Sequence, residues 1–404
     1  MLNANTAGRP LHMHINRSMR LCAAALAVTL LAACSHKGVD QPAKLSPIKA
    51  TLRVREIWSA SVGGFHFLGF GDGQAKALRL GLGIAVQGDR VFASGHGGLV
   101  AAFDLRTGRR LWHTDTRLPL GGGPAVNGNL LVVGASDGHV VALNASDGKP
   151  LWKVALTGAV ISAPAVSDDL VAVRTIDGAL HALSPKDGHE LWEAEQDMPP
   201  LSLRGAATPV ITGNMVISGF ANGKLMAVNS KDGSQVWMAT VSQPRGRTAI
   251  ERLADVLGPV IVADNDVYVV GYHGTVDMLA LKSGQAWWSH KASSFRGLAL
   301  GENAVYMTTE DGEVQALNRK NGAVIWSQKA LRYRSLTKPA VSAEGVVVAD
   351  YQGYVHWLNK RSGAFEARVK SGGVRVTNPP IAIGNEVLVI NDVGEISAYR
   401  VSPR

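Results

Sequence analysis

A glycine that closes a short turn ahead of an apolar run occurs eight times in this chain. The positions are Gly98, Gly138, Gly178, Gly223, Gly274, Gly312, Gly353 and Gly394, spaced 40, 40, 45, 51, 38, 41 and 41 residues apart. A period of this size marks a small supersecondary unit that buries its apolar faces only against copies of itself. Two positions after each glycine stands Val100, Val140, Leu180, Leu225, Val276, Val314, Val355 or Ile396, and five positions after it Phe103, Leu143, Leu183, Val228, Leu279, Leu317, Leu358 or Tyr399. Apolar residues at both parities in so short a run predict a strand packed on both faces.

Each unit reads as four strands. A proline followed by apolar residues opens the first, at Pro124, Pro164, Pro209, Pro259, Pro339 and Pro379. The second runs into the glycine turn, the third leaves it, and the fourth carries a tryptophan. Asp-Gly and Asn-Gly pairs at 137–138, 177–178, 222–223 and 311–312 suit tight hairpins, because glycine tolerates positive φ. Eight units of four strands predict an all-β, eight-bladed β-propeller. A β-helix needs a shorter repeat, and a helical solenoid needs a 3.6-residue period that is absent.

A second glycine follows the first by ten positions in seven units, from Gly108 to Gly363, and a tryptophan follows it by fourteen in six: Trp112, Trp152, Trp192, Trp237, Trp288 and Trp326. The seventh unit has Ala367 in that slot, and the chain ends before the eighth reaches it. An unassigned Trp58 lies in a strand-like stretch at 51–60. That stretch is expected to supply the last strand of the final blade and close the ring, which removes two free edges. Residues 102–112, AFDLRTGRRLW, resemble the tryptophan-docking repeat of the pyrroloquinoline-quinone propellers, and the tryptophans are accordingly expected to be structural.

Ahead of the repeats, residues 1–33 carry Arg9, Arg17 and Arg20, no acid, and an apolar stretch at 21–33 too short to span a bilayer. It ends Leu31-Ala32-Ala33-Cys34, which resembles a bacterial lipobox. The resemblance implies a lipoprotein signal peptide at 1–33, acylation of Cys34, and a membrane anchor. Ser35 in place of the aspartate that retains such proteins at the inner membrane implies the outer membrane, facing the periplasm. Polar residues with two prolines make 34–50 the lipidated cysteine and a flexible tether, and 51–404 the propeller. Translation starts at Met1, Met13 or Met19.

Composition narrows the function. With 46 % hydrophobic and 18 % charged residues the chain is not disordered. Both cysteines, Cys22 and Cys34, precede the propeller, so it contains no disulfide and no thiolate metal site. Loss of residues 1–33 lowers the formal charge from +9 to +6, spread without basic runs, which excludes a nucleic-acid partner. Gly134-Ala135-Ser136-Asp137-Gly138 matches a nucleophile-elbow pattern, yet it falls on a hairpin turn whose sister turns lack serine. His139 and His181, beside turns on third strands, suit packing. The glycine-rich stretch at 69–73 lacks the lysine of a phosphate-binding loop and reads as an entry loop. No catalytic residue, metal or cofactor is expected. The alternative is a quinone-dependent periplasmic dehydrogenase, whose family clamps its cofactor with adjacent cysteines and calcium; this chain has no second cysteine after residue 34.

Two connections between units are long. From tryptophan to the next first-strand proline the chain takes 12 residues at Trp112–Pro124 and Trp152–Pro164 and 13 at Trp326–Pro339, but 17 at Trp192–Pro209 and 22 at Trp237–Pro259. In a four-stranded blade these connections share one face, so the two insertions are expected side by side, and extra loop length on a rigid scaffold is where binding resides. They offer Leu201, Leu203 and Arg204 from the first and Arg252 and Asp255 from the second. This set suits either a partner site with an apolar anchor and a polar rim, or an internal plug in which Arg204 pairs with Asp255.

Lipobox, repeat type and length together resemble the propeller lipoproteins of the outer-membrane β-barrel assembly machinery, most specifically in residues 201–205 (LSLRG), 251–256 (ERLADV) and 353–357 (GYVHW). The resemblance implies a non-enzymatic scaffold that docks on the periplasmic domains of the barrel-inserting subunit and assists insertion of unfolded barrel precursors. It favours docking for the five residues above. One departure stands out: Leu257 occupies a position where an acid is expected.

Overall fold

Every turn glycine of the repeat joins the second and third strands of a four-stranded antiparallel sheet, and the described residues contain eight such sheets. The computed structural model describes residues 40–63, 82–203 and 205–404. The chain divides into units of 1–41 and 42–404, and the fold is that of the second. Blades 1 to 7 span residues 83–115, 120–155, 165–195, 210–240, 261–292, 298–328 and 340–370. Blade 8 takes Ile381–Ile383, Glu386–Ile390 and Glu395–Pro403 from the C-terminus and Leu52–Ser61 from the N-terminus.

The double-sided apolar pattern follows from this arrangement. On the third strand of blade 1, Ala101 and Phe103 pack with Leu388 and Ile390 of blade 8, while Val100 and Ala102 pack with Leu131 and Val133 of blade 2. Alternate residues thus serve opposite seams, and the core is eight wedges between neighbouring blades rather than one mass.

The two sequence periods, glycine at ten and tryptophan at fourteen, are halves of one contact. Each docking indole stands on the glycine of the next blade: Trp58 on Gly108, Trp112 on Gly148, Trp152 on Gly188, Trp192 on Gly233, Trp237 on Gly284, Trp288 on Gly322 and Trp326 on Gly363. A methyl group at any of these glycines would lie 2.4–2.7 Å from the ring, so only glycine fits. Each indole N–H also donates to a carbonyl of that same next-blade turn, at 2.8–3.1 Å. A one-residue bulge precedes the docking position in all eight outer strands; it skips Leu111 in blade 1 and Trp287 in blade 5. Such a bulge bends the strand and leaves the skipped residue outside the ladder.

Ring closure follows the expectation. Leu52–Ser61 pairs antiparallel with Glu395–Pro403, and Trp58 carries the dock from blade 8 to blade 1. Because the outer strand of blade 8 comes from the N-terminus, that blade has no third-to-outer turn and so no glycine platform; the position falls on the terminal Arg404. An indole at Ala367 would have nothing to stand on. That seam is filled from one strand further in, by the fully buried Trp357, edge-on to Tyr399 at 6.2 Å.

The flexible tether expected at 34–50 is corrected from Pro42 onward. Ala43 donates its N–H to the Arg332 carbonyl, and its own carbonyl accepts from Arg334 (both 2.9 Å). The Ser46 carbonyl accepts from Arg368 at 2.9 Å, and Leu45 packs against the buried cluster that contains Trp326. The cause is a buried charge cluster in blade 7 that needs more acceptors than it contains. Arg334 donates to Asp350 at 2.7 Å, His356 lies 3.2 Å from the same carboxylate oxygen, and Arg368 donates to the other nitrogen of His356. Burial works against the Asp350 charge, but His356 and Arg334 hold its pKa below the usual range. Strap carbonyls complete the shells of both arginines.

The dock predicts a specific non-additivity. Trp58→Ala should cost about 3–5 kcal/mol, the range for an emptied aromatic site. Gly108→Ala should also be strongly destabilising in the parent, and far less so on top of Trp58→Ala, because the clash has gone. Urea denaturation of the four proteins checks this; additive losses would mean that the two residues do not share one contact.

Candidate docking face

The long connections leave the outer strands of blades 3 and 4 and lie beside the second-to-third turns. The Leu203 N–H of the first insertion donates to Asp255 Oδ2 of the second at 2.6 Å. Leu257 packs under Gly205, where an added methyl would lie 3.1 Å from its side chain. The second insertion is fixed to the turns beneath it: Val256 N–H donates to the Phe220 carbonyl at 3.1 Å, and Tyr272 N–H to the Asp255 carbonyl at 2.7 Å. The two insertions are therefore neighbours in contact, as the loop lengths predict.

Asp255 does not form a surface rim. Its side chain is 0 % exposed, one carboxylate oxygen holds Leu203, and the other has no hydrogen-bond partner among the described residues. Burial raises its pKa to about 6, opposed by the Leu203 N–H and by His273. This corrects the sequence expectation: Asp255 positions the first insertion from beneath, and a partner would not reach it. Leu257 answers the puzzle of the missing acid, since that position is a packing contact between the insertions.

The surface is built from other atoms. Leu201 is 45 % exposed, whereas Leu203 is half-buried above Asp255. Arg204 lies outside the described residues. Arg252 is exposed and donates to the Arg247 carbonyl at 3.0 Å, which folds the tip of the second insertion back on itself. Glu251 organises that tip by accepting the N–H groups of Arg247 and Thr248 at 2.7 and 3.0 Å, while its own N–H donates to the Thr248 hydroxyl, a capping-box arrangement. These backbone donors lower the Glu251 pKa. At the apex Ile250 is 69 % exposed between Arg245, Arg247 and Arg252. Sequence reasoning missed Ile250, Arg245 and Arg247. The available signal was QPRGRTAIER at 243–252, three arginines around one isoleucine. The exposed face is apolar and basic, which complements an acidic surface with apolar pockets.

The other candidates have local roles. The Ser136 hydroxyl donates to the Pro119 carbonyl at 3.1 Å, across the foot of its hairpin. His181 is buried, with Nδ1 at 2.6 Å from Glu190 and Nε2 at 3.9 Å from Glu193, so the two acids address opposite edges of the ring. His139 lies against Asp137 at 3.1 Å.

The buried carboxylate gives a pH signature. An acid whose folded pKa is raised binds its proton more tightly in the folded state, so its contribution to stability is lost as pH rises from about 4 to 6 and stays lost above. Asp255→Asn keeps an oxygen for Leu203 and removes the charge. Stability at pH 7.5 should be equal to the parent's or higher by up to about 3 kcal/mol, with a flatter profile between pH 4 and 6. Urea midpoints across that range measure it; a lower stability at pH 7.5 with an unchanged profile would contradict the assignment.

Comparison with known proteins places these features in a family. A family model described as "Outer membrane protein assembly factor BamB" matches residues 96–328. The protein of that name from Pseudomonas aeruginosa is 39 % identical over 383 residues, covering 94 % of this chain and 98 % of the relative. The crystal structure of BamB from Moraxella catarrhalis superposes with a TM-score of 0.77 at 26 % identity, covering 86 % of this chain and all of the other. The quinohemoprotein alcohol dehydrogenase of Comamonas testosteroni superposes with a TM-score of 0.66 at 13 % identity, covering 86 % of this chain and 76 % of that one, a likeness of fold alone.

Proposed function

This chain belongs to the BamB family of outer membrane protein assembly factors, and from that premise we propose that it is a non-enzymatic scaffold docking on the periplasmic domains of the barrel-inserting subunit. The observation that carries the reading is the pair of joined insertions, which lifts Leu201, Ile250 and Arg252 off a rigid ring. Apolar anchors within a charged rim are the usual composition of a binding centre. Leu203 and Asp255 act beneath this surface by holding the first insertion in place, and Arg204 belongs to the same segment. Catalysis forms no part of the reading, since the serine of the elbow-like motif is engaged by Pro119. By assisting the barrel-inserting subunit, the scaffold supports insertion of unfolded barrel precursors. Acylated Cys34 anchors it to the outer membrane, facing the periplasm.

Co-purification of the barrel-inserting subunit from detergent-solubilised membranes tests the docking. A Leu201→Ala, Ile250→Ala, Arg252→Glu variant should recover at least about tenfold less subunit, as for loss of a central hot spot, with its melting temperature within about 2 °C of the parent. Undiminished recovery by this folded variant would remove the docking face from these insertions. The anchor is tested separately: Cys34→Ser should shift the protein from the outer-membrane fraction to the soluble or unprocessed fraction. Persistence in the outer membrane of a strain lacking the partner would rule out acylation at Cys34 as the anchor.

A further inference from the structure

The position three residues after each turn glycine faces the seam with the preceding blade. In blades 1, 2 and 4 it holds Ala101, Val141 and Met226, each packed into that seam. In blade 3 it holds His181 against Glu190, and in blade 7 His356 between Asp350 and Arg368. In blade 5 it holds Asp277. This side chain is 4 % exposed; Oδ2 accepts from the Thr275 hydroxyl at 2.9 Å, and Oδ1 makes no hydrogen bond among the described residues. Burial raises its pKa, opposed by the nearby Ser289 and Thr275 hydroxyls. The cross-strand neighbour is the small Ser289, where blade 7 has Arg368.

Asp277 borders a groove of about 980 Å³ between the outer strand of blade 4 and the sheet of blade 5, with Ala239, Val241, Leu279 and Ala286 as apolar walls. Arg245 and Lys291 stand at its rim. Glu310, also at the rim, is held by the Ser293 hydroxyl at 2.7 Å and faces His273 at 3.9 Å.

The equivalent groove of blade 7 is filled, and by an extended peptide: the strap of residues 42–51. Leu45 and Phe365 pack against the same seam cluster, the Ser46 carbonyl meets Arg368, and Thr51 N–H donates to the carbonyl of Glu366 at 2.9 Å. Counted from the turn glycine, blade 5 has Ala286 for Phe365, Ser289 for Arg368 and Trp287 for Glu366. Smaller residues widen the groove. Glu366 and Trp287 are both the skipped residue of the bulge, where the strap makes its edge contact, and Trp287 is 62 % exposed.

The geometry points to the blade 4–5 groove as a seat for an extended segment of a partner protein, with a lysine or arginine of that segment reaching Asp277 Oδ1 as Arg368 reaches His356 in blade 7. The alkyl stem lies along Ala239 and Ala286, the indole of Trp287 covers the incoming backbone, and Lys291 donates to one of its carbonyls. The groove opens toward Gln243 and Arg245 at the root of the second insertion, so one partner could engage both surfaces. The inference does not depend on the docking assigned to Leu201, Ile250 and Arg252.

The test uses the full lipidated chain in detergent micelles, labelled with 5-fluorotryptophan, with the Trp287 ¹⁹F signal assigned through Trp287→Phe. The probes are a blocked peptide, acetyl-Ala-Leu-Ala-Arg-Ala-Ser-amide, and its counterpart with neutral citrulline for arginine. The arginine peptide should shift the Trp287 signal saturably, and affinity should fall about tenfold or more with citrulline or in Asp277→Asn, as for a lost charge-assisted contact. No saturable shift, equal affinity for both peptides, or an unaffected Asp277→Asn protein would each overturn the proposal. Asp277→Met, which installs the residue of blade 4, should melt no lower than the parent. A fall of more than about 5 °C would make Asp277 a structural acid and overturn it as well. A concentration-dependent dimer lost in Asp277→Asn would place a second copy in the groove, against the partner assigned here.

Discussion

An indole standing on a bare glycine is the contact on which this ring depends. Neighbouring blades diverge with radius, so the wedge between them needs a large planar group near its rim. Trp112 fills one such wedge, Gly148 lets it lie flat, and the Ala145 carbonyl takes its N–H. The contact joins consecutive blades in one direction around the ring, which makes stability a sum of nearest-neighbour terms with a closing term supplied by Trp58. The single seam without it, between blades 7 and 8, is where the chain's two ends meet, and there Trp357, Tyr399 and Leu52 do the filling.

A scaffold held by its outer wedges leaves other positions free to differ between blades. The slot after the turn glycine is alanine in blade 1, a histidine bound to an acid in blade 3, an aspartate facing a groove in blade 5 and a histidine inside a charge cluster in blade 7. The connections between blades vary likewise. Blades 3 to 5 carry the long ones, tied by a carboxylate buried at a cost in solvation, and a group raised in this way stabilises less at neutral pH than an amide would. Its retention fits a role in placing the loop rather than in adding stability. The same blades carry the open groove, so blade-specific chemistry gathers on one arc of the ring.

Away from this arc, the strap of residues 42–51 is held against blade 7 by Arg334 and Arg368, so this stretch belongs to the folded ring and is not a loose lead-in to it. The cluster that holds it is buried, so the clasp is screened little by salt.

The ring was legible in the sequence because propeller blades repeat local patterns: strand alternation, turn glycines and tryptophan spacing are all set within some 40 residues, and the vacant eighth slot with the spare Trp58 pointed to the closing strand. The adjacency of the two insertions was legible too, since loop length and strand parity fix which face a connection leaves from. What a side chain touches across a seam was not. That Gly148 serves Trp112, that Asp255 is buried under Leu203, that Leu257 packs on Gly205, and that residues 42–50 are clasped rather than free all depend on groups from different blades or distant loops. Linear spacing determines which elements form and in what order they are laid around the ring. Only the closed tertiary structure decides which polar groups lose water and must find partners, and so which residues of the insertions remain for another protein to meet.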